Sequence, residues 1–323
     1  MSETRNALGA TPQATLRPKP KGRLARAWDS DLMASFLRSR LVVVAGIVAV
    51  IMVATAFLAP VLAPSNPYDL NGINLLDAST PPAWAQGGER KFLLGSDNQG
   101  RDILSTMLYG TRSSIMIGVL SVTLAMLLGV SLGLVAGYFG GRIDSLIMRV
   151  ADVQLTFPAI LTALLVDGIA SVLLKHQAGG STKFWILVFS IGLSYWVQYA
   201  RTVRGVTMVE RNKEYVQAAR LIGLSSTAIM FKHVLPNVLS PVLVIATINL
   251  ALAIITEATL SFLGVGLPPT EPSLGTMIGT GNEFLLSGDY WMVLFPGLAL
   301  ATLVLSVNLL GDWLRDALNP KLR

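Results

Sequence analysis

The chain has 323 residues, of which 52% are hydrophobic and only 14% are charged, and its formal net charge is +6. Soluble domains have about 25% charged residues, so this composition excludes an ordinary water-exposed surface and indicates a chain that lies in lipid. The sequence contains no cysteine, which excludes disulfides and thiolate metal sites. A hydrocarbon core takes roughly 20 residues per helical crossing, so the length allows about six crossings in one bundle.

The amino-terminal region divides into a basic tail and a first span. Residues 1–40 hold eight Lys/Arg, three Asp/Glu and three prolines, which is typical of a disordered cytoplasmic arm. Residues 41–63 contain no charge and predict the first transmembrane helix. A cleaved signal peptide is the alternative, but the basic region is too long and the apolar segment reaches span length.

Five further apolar segments predict spans at about 113–138, 147–172, 184–200, 237–265 and 290–311. With the amino terminus in the cytoplasm, six crossings return the carboxyl terminus to the same side. The Lys/Arg residues then divide as 19 inside and 6 outside, which follows the positive-inside rule. The prediction is an all-α membrane protein with six transmembrane helices, cytoplasmic termini and a five-span core over 113–323.

Two loops are predicted on the outer side. Residues 64–112 are rich in Pro and Gly and then become amphipathic, which predicts an outer loop with an interfacial helix before the second span. The segment 266–290 mixes Gly, Pro and apolar residues, as expected for a chain that dips partway back into protein. The small-residue run at 129–141 predicts close helix packing, either within this chain or against a partner.

A polar segment, "EYVQAARLIGLSSTAIMFKHVLPN", separates the fourth and fifth predicted spans on the cytoplasmic side. Residues 210–222 predict a short amphipathic helix, and Gly223 can supply the positive φ that ends it. Ser225 or Ser226 can cap a second short helix, and Pro236 suits the start of the next span. The result is a compact helical knob over residues 210–235. A plain connector resting on lipid headgroups is the alternative.

This polar segment resembles the EAA motif of bacterial ABC-importer permeases, in the version used by the dipeptide, oligopeptide and nickel family. In that family the motif forms the coupling helix that docks on the ATPase subunit. The matching positions are Ala218, Ala219, Gly223, Leu235 and Pro236, with Gln217 at the usual acidic position and Glu214 one turn earlier. The blocks at 94–115, 149–161 and 257–278 are also similar to the family. The first span with its basic tail resembles the C-type permease subunit.

The resemblance implies a type I ABC-importer permease fold in the bacterial inner membrane, with membrane lipid around it. It also implies a B-type permease partner, two ABC ATPase subunits (or one as a homodimer) and an extracytoplasmic solute-binding protein. The sequence contains no G-x-x-x-x-G-K-[ST] phosphate loop. We therefore expect ATP and Mg on the partner subunits, and no enzyme activity, cofactor or metal on this chain. Nucleic acid is not needed to explain the +6 charge.

Polar residues within the predicted spans are candidates for a pathway or gate, because charges inside a membrane are costly. These candidates are Glu257, Asp152 and Asn249. For Asp152 a structural pairing with Arg149 or with a donor from the outer loop is the favoured interpretation. For Glu257 the pathway or gate is favoured, and Asn249 fits helix-to-helix hydrogen bonding better. We expect Asp152 and Glu257 to be the only acidic side chains within the spans.

Two functions remain open on the residues alone. An ATP-driven importer of peptides follows from the resemblance, although nickel complexes and glutathione are carried by similar permeases. A proton-coupled secondary transporter is the alternative, because a lone acidic side chain can carry protons and broken helices suit alternating access.

Overall fold

The computed structural model describes residues 31–69, 73–173 and 180–318. Within these ranges the regular structure is helical, and the one β contact is an isolated bridge between Ser96 and Asp102. The all-α prediction is therefore confirmed for the described part of the chain. The predicted disordered arm falls mostly on residues 1–30, which lie outside the described residues.

Helix α1 (Asp31–Arg38) leads directly into helix α2 (Arg40–Phe57). The Ser39 side chain caps α2 by accepting a hydrogen bond from the backbone N–H of Val42. One more helical turn, Ala59–Leu62, follows, so the predicted first span contains a helix and a short extension. Phe36 stacks edge to face on Trp313 with ring centroids 5.2 Å apart, which joins the two ends of the described chain.

The outer loop contains a 3₁₀ turn (Leu75–Asp77) and ends at helix α3 (Ile103–Phe139). The carboxylate of Asp102 caps α3 by accepting from the Ser105 N–H at 2.8 Å. Because this cap lies at residue 102, residues 103–112 are the first turns of α3. The helix predicted before residue 113 is thus continuous with the second predicted span.

The predicted span at 147–172 is broken into two helices. Helix α4 (Gly141–Leu155) and helix α5 (Ala159–Leu173) are bent by 96° at the intervening residues. Pro158 lies in the break, where it lacks an N–H and disfavours a helical conformation at the residue before it. The prediction of one continuous helix here is wrong.

The remaining helices complete the bundle. They are α6 (Gly180–Glu210), α7 (Glu214–Leu221), α8 (Leu235–Phe262), α9 (Leu274–Phe284) and α10 (Trp291–Leu318). Between α7 and α8 lie a helical turn (Ser226–Ile229) and a π-helical turn (Met230–Val234). Helix α9 lies between α8 and α10, within the segment predicted to dip back into protein.

The centre of the bundle is the contact between α3 and α6. A Cβ atom added to Gly129 would lie 2.4 Å from the Trp196 carbonyl oxygen, and one added to Gly133 would lie 2.4 Å from that of Ala200. At Gly137 the nearest atom would be Thr207 Cβ, at 2.7 Å. The predicted close packing of the small-residue run is confirmed, and it occurs within this chain.

By length and composition, four stretches of the described chain can cross a bilayer: α2, α3, Ser226–Phe262 and Trp291–Ala317. The bent pair α4 and α5 becomes a fifth if it counts as one broken span. Helix α6, which contains the predicted fourth span, is not in this set. The described structure thus supports a multi-pass helical membrane protein with four or five apolar spans.

We predict that Gly133→Leu destabilises the bundle by about 3 kcal/mol, because a side chain at this position overpacks the contact against the α6 backbone. Gly168→Leu is the matched control, since a Cβ added at Gly168 would meet nothing within 4 Å. Thermal unfolding of the purified protein in detergent measures both. Equal stability of the two variants would contradict the importance of this contact.

Candidate functional site

The connection between α6 and α8 forms a compact knob. Its helix α7 turns Val216 and Ala219 inward, where they are 0% and 4% exposed. Ile229, Met230 and Val234 are also buried, and all five residues belong to the same hydrophobic cluster as the α3 and α6 side chains. The knob is therefore an extension of the core and not a loose loop.

Local sequence explains where the helices of the knob start and stop. Gly223 adopts φ +84°, and the Leu224 N–H donates to the Ala219 carbonyl at 3.1 Å, which closes the end of α7. Ser225 Oγ accepts from the Ala228 N–H at 3.3 Å and caps the next turn. Pro236 lies in the first turn of α8, directly after the π-helical turn Met230–Val234. The predicted helix stop, cap and proline position are confirmed.

The knob leaves large apolar side chains uncovered. Leu221 is 89% exposed, Ile222 77% and Phe231 63%. Glu214, Gln217 and Ala218 are exposed as well, whereas Ala219 is buried and Leu235 is partly buried. Exposed apolar residues with polar neighbours are typical of a surface that another protein covers.

Tyr215 joins the two ends of the knob, and the sequence analysis did not single it out. Its hydroxyl donates to Glu210, the last residue of α6, and accepts from Asn237 Nδ2 of α8 at 3.0 Å. Lys213 Nζ lies 2.6 Å from the other carboxylate oxygen of Glu210. The signal for this contact was the Glu-x₄-Tyr spacing across the turn, but the position of Asn237 depends on the tertiary fold.

The electrostatics of this contact favour a neutral tyrosine beside an ionised carboxylate. Burial and the hydrogen bond to Glu210 raise the pKa of Tyr215 to about 12. Burial acts to raise the pKa of Glu210, but the hydrogen bonds from Lys213 and Tyr215 outweigh it and hold that pKa below its usual value. Both groups lie outside the predicted span 184–200.

Glu257 is fully buried in α8 and joins three helices. Its two carboxylate oxygens accept from Ser114 Oγ of α3 and from Ser261 Oγ, each at 2.8 Å. Ser114 Oγ in turn accepts from the N–H of Leu274, the first residue of α9, at 3.2 Å. The structure thus places Glu257 where it ties α9 to the bundle.

Asp152 pairs with Arg201 of α6 and not with Arg149. The predicted partner was wrong because the neighbour of α4 is set by the fold and not by spacing along α4. The side chains of Asp152 and Arg201 are 63% and 48% exposed. A second ion pair, Asp144 with Arg204, also joins α4 to α6.

The other polar residues of the predicted spans lie in different surroundings. Asn249 is fully buried in α8, and its side chain lies next to the buried Tyr199 hydroxyl of α6, with which it interacts. Asp167 lies in the predicted span 147–172, so Asp152 and Glu257 are not the only acidic side chains of the spans. Asp167 is 1% exposed and lies 2.9 Å from Lys183 Nζ at the start of α6. The sequence signal for this ion pair was an aspartate within an apolar run, followed by a lysine near the start of the next helix.

A bundle of long apolar helices with a structured, partly apolar knob between two of them defines a multi-pass membrane protein. Residues 129–323 match the family model described as the binding-protein-dependent transport system inner membrane component. Residues 27–82 match the N-terminal transmembrane domain of oligopeptide transport permease C. The chain belongs to the binding-protein-dependent transport system inner membrane component family, and the predicted family and inner-membrane location are confirmed.

Curated relatives agree over most of the chain. It is 41% identical over 279 residues to the dipeptide transport system permease protein DppC of Haemophilus influenzae, which covers 86% of this chain and 90% of the relative. It is 39% identical over 273 residues to the di/tripeptide transport system permease protein DppC of Pseudomonas aeruginosa, covering 84% and 86%. It is 38% identical over 291 residues to the glutathione transport system permease protein GsiD of Pectobacterium atrosepticum, covering 89% of each.

The fold is shared with solved transporter structures. The inward-facing MetNI methionine ABC transporter aligns with a TM-score of 0.52 and 17% identity, covering 66% of this chain and 96% of that chain. At this identity the likeness concerns the fold alone.

We predict that Gly223→Val disrupts the knob, whereas Gly223→Asn is tolerated. A Cβ at Gly223 would meet nothing within 4 Å, so the strain comes only from the positive φ. A β-branched residue is a genuine outlier there and asparagine is not. Limited proteolysis between α6 and α8 in membranes measures the effect, and the valine variant should be cut about fivefold faster for a cost of roughly 1 kcal/mol. Equal cleavage of both variants would contradict this.

Proposed function

We propose that this chain is the permease subunit of an ATP-driven ABC importer and forms half of the translocation pathway by alternating access. The observation that carries the proposal is the knob, which is continuous with the core and leaves Leu221, Ile222 and Phe231 uncovered. Because the knob packs against the core of the bundle, a movement of a protein bound to the knob can be transmitted to the helices. The motif residues that would meet the ATPase subunit are Glu214, Gln217, Ala218, Ala219, Gly223, Leu235 and Pro236.

The proposed cargo is peptides, with di- and oligopeptides first. Support comes from the DppC relatives, whose names assign them to dipeptide and di/tripeptide transport. The glutathione permease relative keeps a modified tripeptide within the same chemical class.

The proposed complex contains a B-type permease subunit, two ABC ATPase subunits or one as a homodimer, and an extracytoplasmic solute-binding protein. Hydrolysis of ATP with Mg takes place on the ATPase subunits, because the sequence of this chain has no phosphate loop. This subunit supplies half of the translocation pathway, the surface that faces the lipid, and the contact through which movement of the ATPase subunit reaches the membrane helices. It carries no catalytic residue of its own in this proposal, and nucleic acid has no part in it.

Six spans and two cytoplasmic termini are proposed, with α6 as the additional crossing. Its 31 residues reach about 46 Å, which exceeds the thickness of the hydrocarbon core. The Lys/Arg distribution of 19 inside and 6 outside favours this orientation.

Among the predicted pathway residues, Asp152 has the exposure that a cavity requires. The side chains of Asp152 and Arg201 are 63% and 48% exposed, and a charge exposed to hydrocarbon is costly, so we propose that this ion pair faces water in the pathway. Glu257 is proposed to hold a gate through α9, since its contacts join α9 to α3. Asn249 is proposed to join α8 to α6 through the buried Tyr199 hydroxyl beside it.

We predict that single cysteines report the proposed orientation. The native chain has no cysteine, so a variant carries no background label. A membrane-impermeant maleimide added to intact spheroplasts should label Glu89→Cys at once and Ser226→Cys only after permeabilisation. Both positions are exposed in the structure. The reverse pattern would place the knob on the outer face and contradict the proposal.

We predict that uptake requires internal ATP. Right-side-out vesicles that contain the whole complex and its binding protein should accumulate labelled dialanine when loaded with ATP. Uptake should fall to background when the vesicles are loaded with ADP and given only an inward proton gradient. Uptake driven by the gradient alone would instead support the proton-coupled secondary transporter.

A further inference from the structure

We propose that the hydroxyl group of Tyr215 is a positioning group that makes the knob and its two flanking helices move as one body. This inference rests on the proposed function, because it concerns how motion received at the knob reaches the pathway. Tyr215 and its two partners, Glu210 and Asn237, are called the clasp below.

The clasp joins three separate helices through one oxygen atom. Glu210 ends α6, Tyr215 is the second residue of α7, and Asn237 lies in the first turn of α8. The Tyr215 hydroxyl donates to Glu210 Oε2 and accepts from Asn237 Nδ2 at 3.0 Å. A hydroxyl can donate and accept at the same time, so it suits this bridging position.

Each partner of the hydroxyl is itself held in place. Asn237 Nδ2 also donates to the His233 carbonyl oxygen at 2.9 Å. That carbonyl lies in the π-helical turn Met230–Val234, and a π turn shifts the backbone hydrogen bonds from their α-helical partners. Glu210 is only 7% exposed and is paired with Lys213. The Tyr215 hydroxyl also lies 3.5 Å from the same His233 carbonyl oxygen, which is a second and weaker acceptor, so the clasp is anchored on both the α6 side and the α8 side.

The other parts of the knob place weaker constraints on the orientation of α6 and α8. Residues 211–213 form a turn between α6 and α7, and residues 222–225 form a second turn with an exposed glycine at its centre. Hydrophobic contacts from Val216 and Ala219 hold α7 on the core but have no directional preference. Hydrogen bonds are directional, so the clasp fixes the angle between α7 and both spans.

The hydroxyl can be removed without removing the ring. The Tyr215 side chain is 39% exposed, so Tyr215→Phe should preserve the packing of α7 and delete only the bridge. Glu210→Gln keeps an acceptor oxygen for the hydroxyl, whereas Glu210→Ala deletes it. Comparing these two substitutions at one position distinguishes the effect of losing the hydrogen bond from the effect of a general disturbance of the site.

The test uses the complete transporter complex purified from its native membrane and reconstituted with its binding protein. Labelled dialanine uptake and ATP hydrolysis are measured on the same vesicles. For Tyr215→Phe and Glu210→Ala we expect assembly and ATP hydrolysis close to wild type, and roughly tenfold less uptake per ATP, the loss expected for a hydrogen bond to a charged group. Glu210→Gln should retain most of the coupling.

Tyr290→Phe is the matched control, because that side chain is 49% exposed on another part of the bundle. It should leave uptake per ATP unchanged. An unchanged ratio in Tyr215→Phe overturns the inference while the proposed function stands. Loss of complex assembly in Tyr215→Phe assigns the hydroxyl to folding and also overturns it. A wild-type complex whose uptake is independent of ATP overturns the proposed function, and the clasp with it.

Discussion

Gly129, Gly133 and Gly137 bring the backbones of α3 and α6 so close that one methyl group would collide with a carbonyl oxygen or a side chain. Lipid tails are as apolar as leucine, so helices in a bilayer associate through this kind of close packing and not through exclusion of water. The contact fixes α6 from Trp196 to Thr207. It therefore also fixes Glu210 at the end of α6, against which the knob is built.

Polar contacts then determine how the other helices attach to this pair. Asp144 and Asp152 of α4 meet Arg204 and Arg201 of α6, and Asp167 of α5 meets Lys183. The carboxylates of Asp167 and Asp144 are largely buried, and buried charges cost free energy unless they are paired, so these two ion pairs hold α5 and α4 in register against α6. Glu257 has the same effect on α9 through Ser114. The bundle thus has an apolar, closely packed centre with directional contacts around it.

Features that depend on neighbouring residues in the chain could be predicted from the sequence. Gly223, the Ser225 cap and Pro236 occupy the predicted positions in the knob, because turn and cap geometry is local. The small-residue run likewise predicted close packing without naming α6 as the helix it meets. Family membership followed from fixed spacings in the polar segment, which tertiary structure does not alter.

Features that depend on which helices become neighbours could not be predicted in this way. Asp152 has Arg149 close in sequence, yet the fold places Arg201 beside it. Hydropathy alone does not show the break at Pro158, because apolar residues continue on both sides of it and hydropathy does not register a change of direction. Helix α3 begins ten residues before the predicted span because Asp102, and not the edge of the apolar run, provides the start. The Tyr215 contact needs α6 and α8 to be side by side.

The 96° bend between α4 and α5 affects which surroundings this part of the subunit can have in the membrane. A helix that stops and restarts leaves main-chain oxygens without intrahelical donors, and hydrocarbon offers none. Phe157, at the corner, is 60% exposed in the isolated chain. Fatty acyl chains cannot donate hydrogen bonds to such oxygens, so a corner of this kind suits a position against water or against another polypeptide.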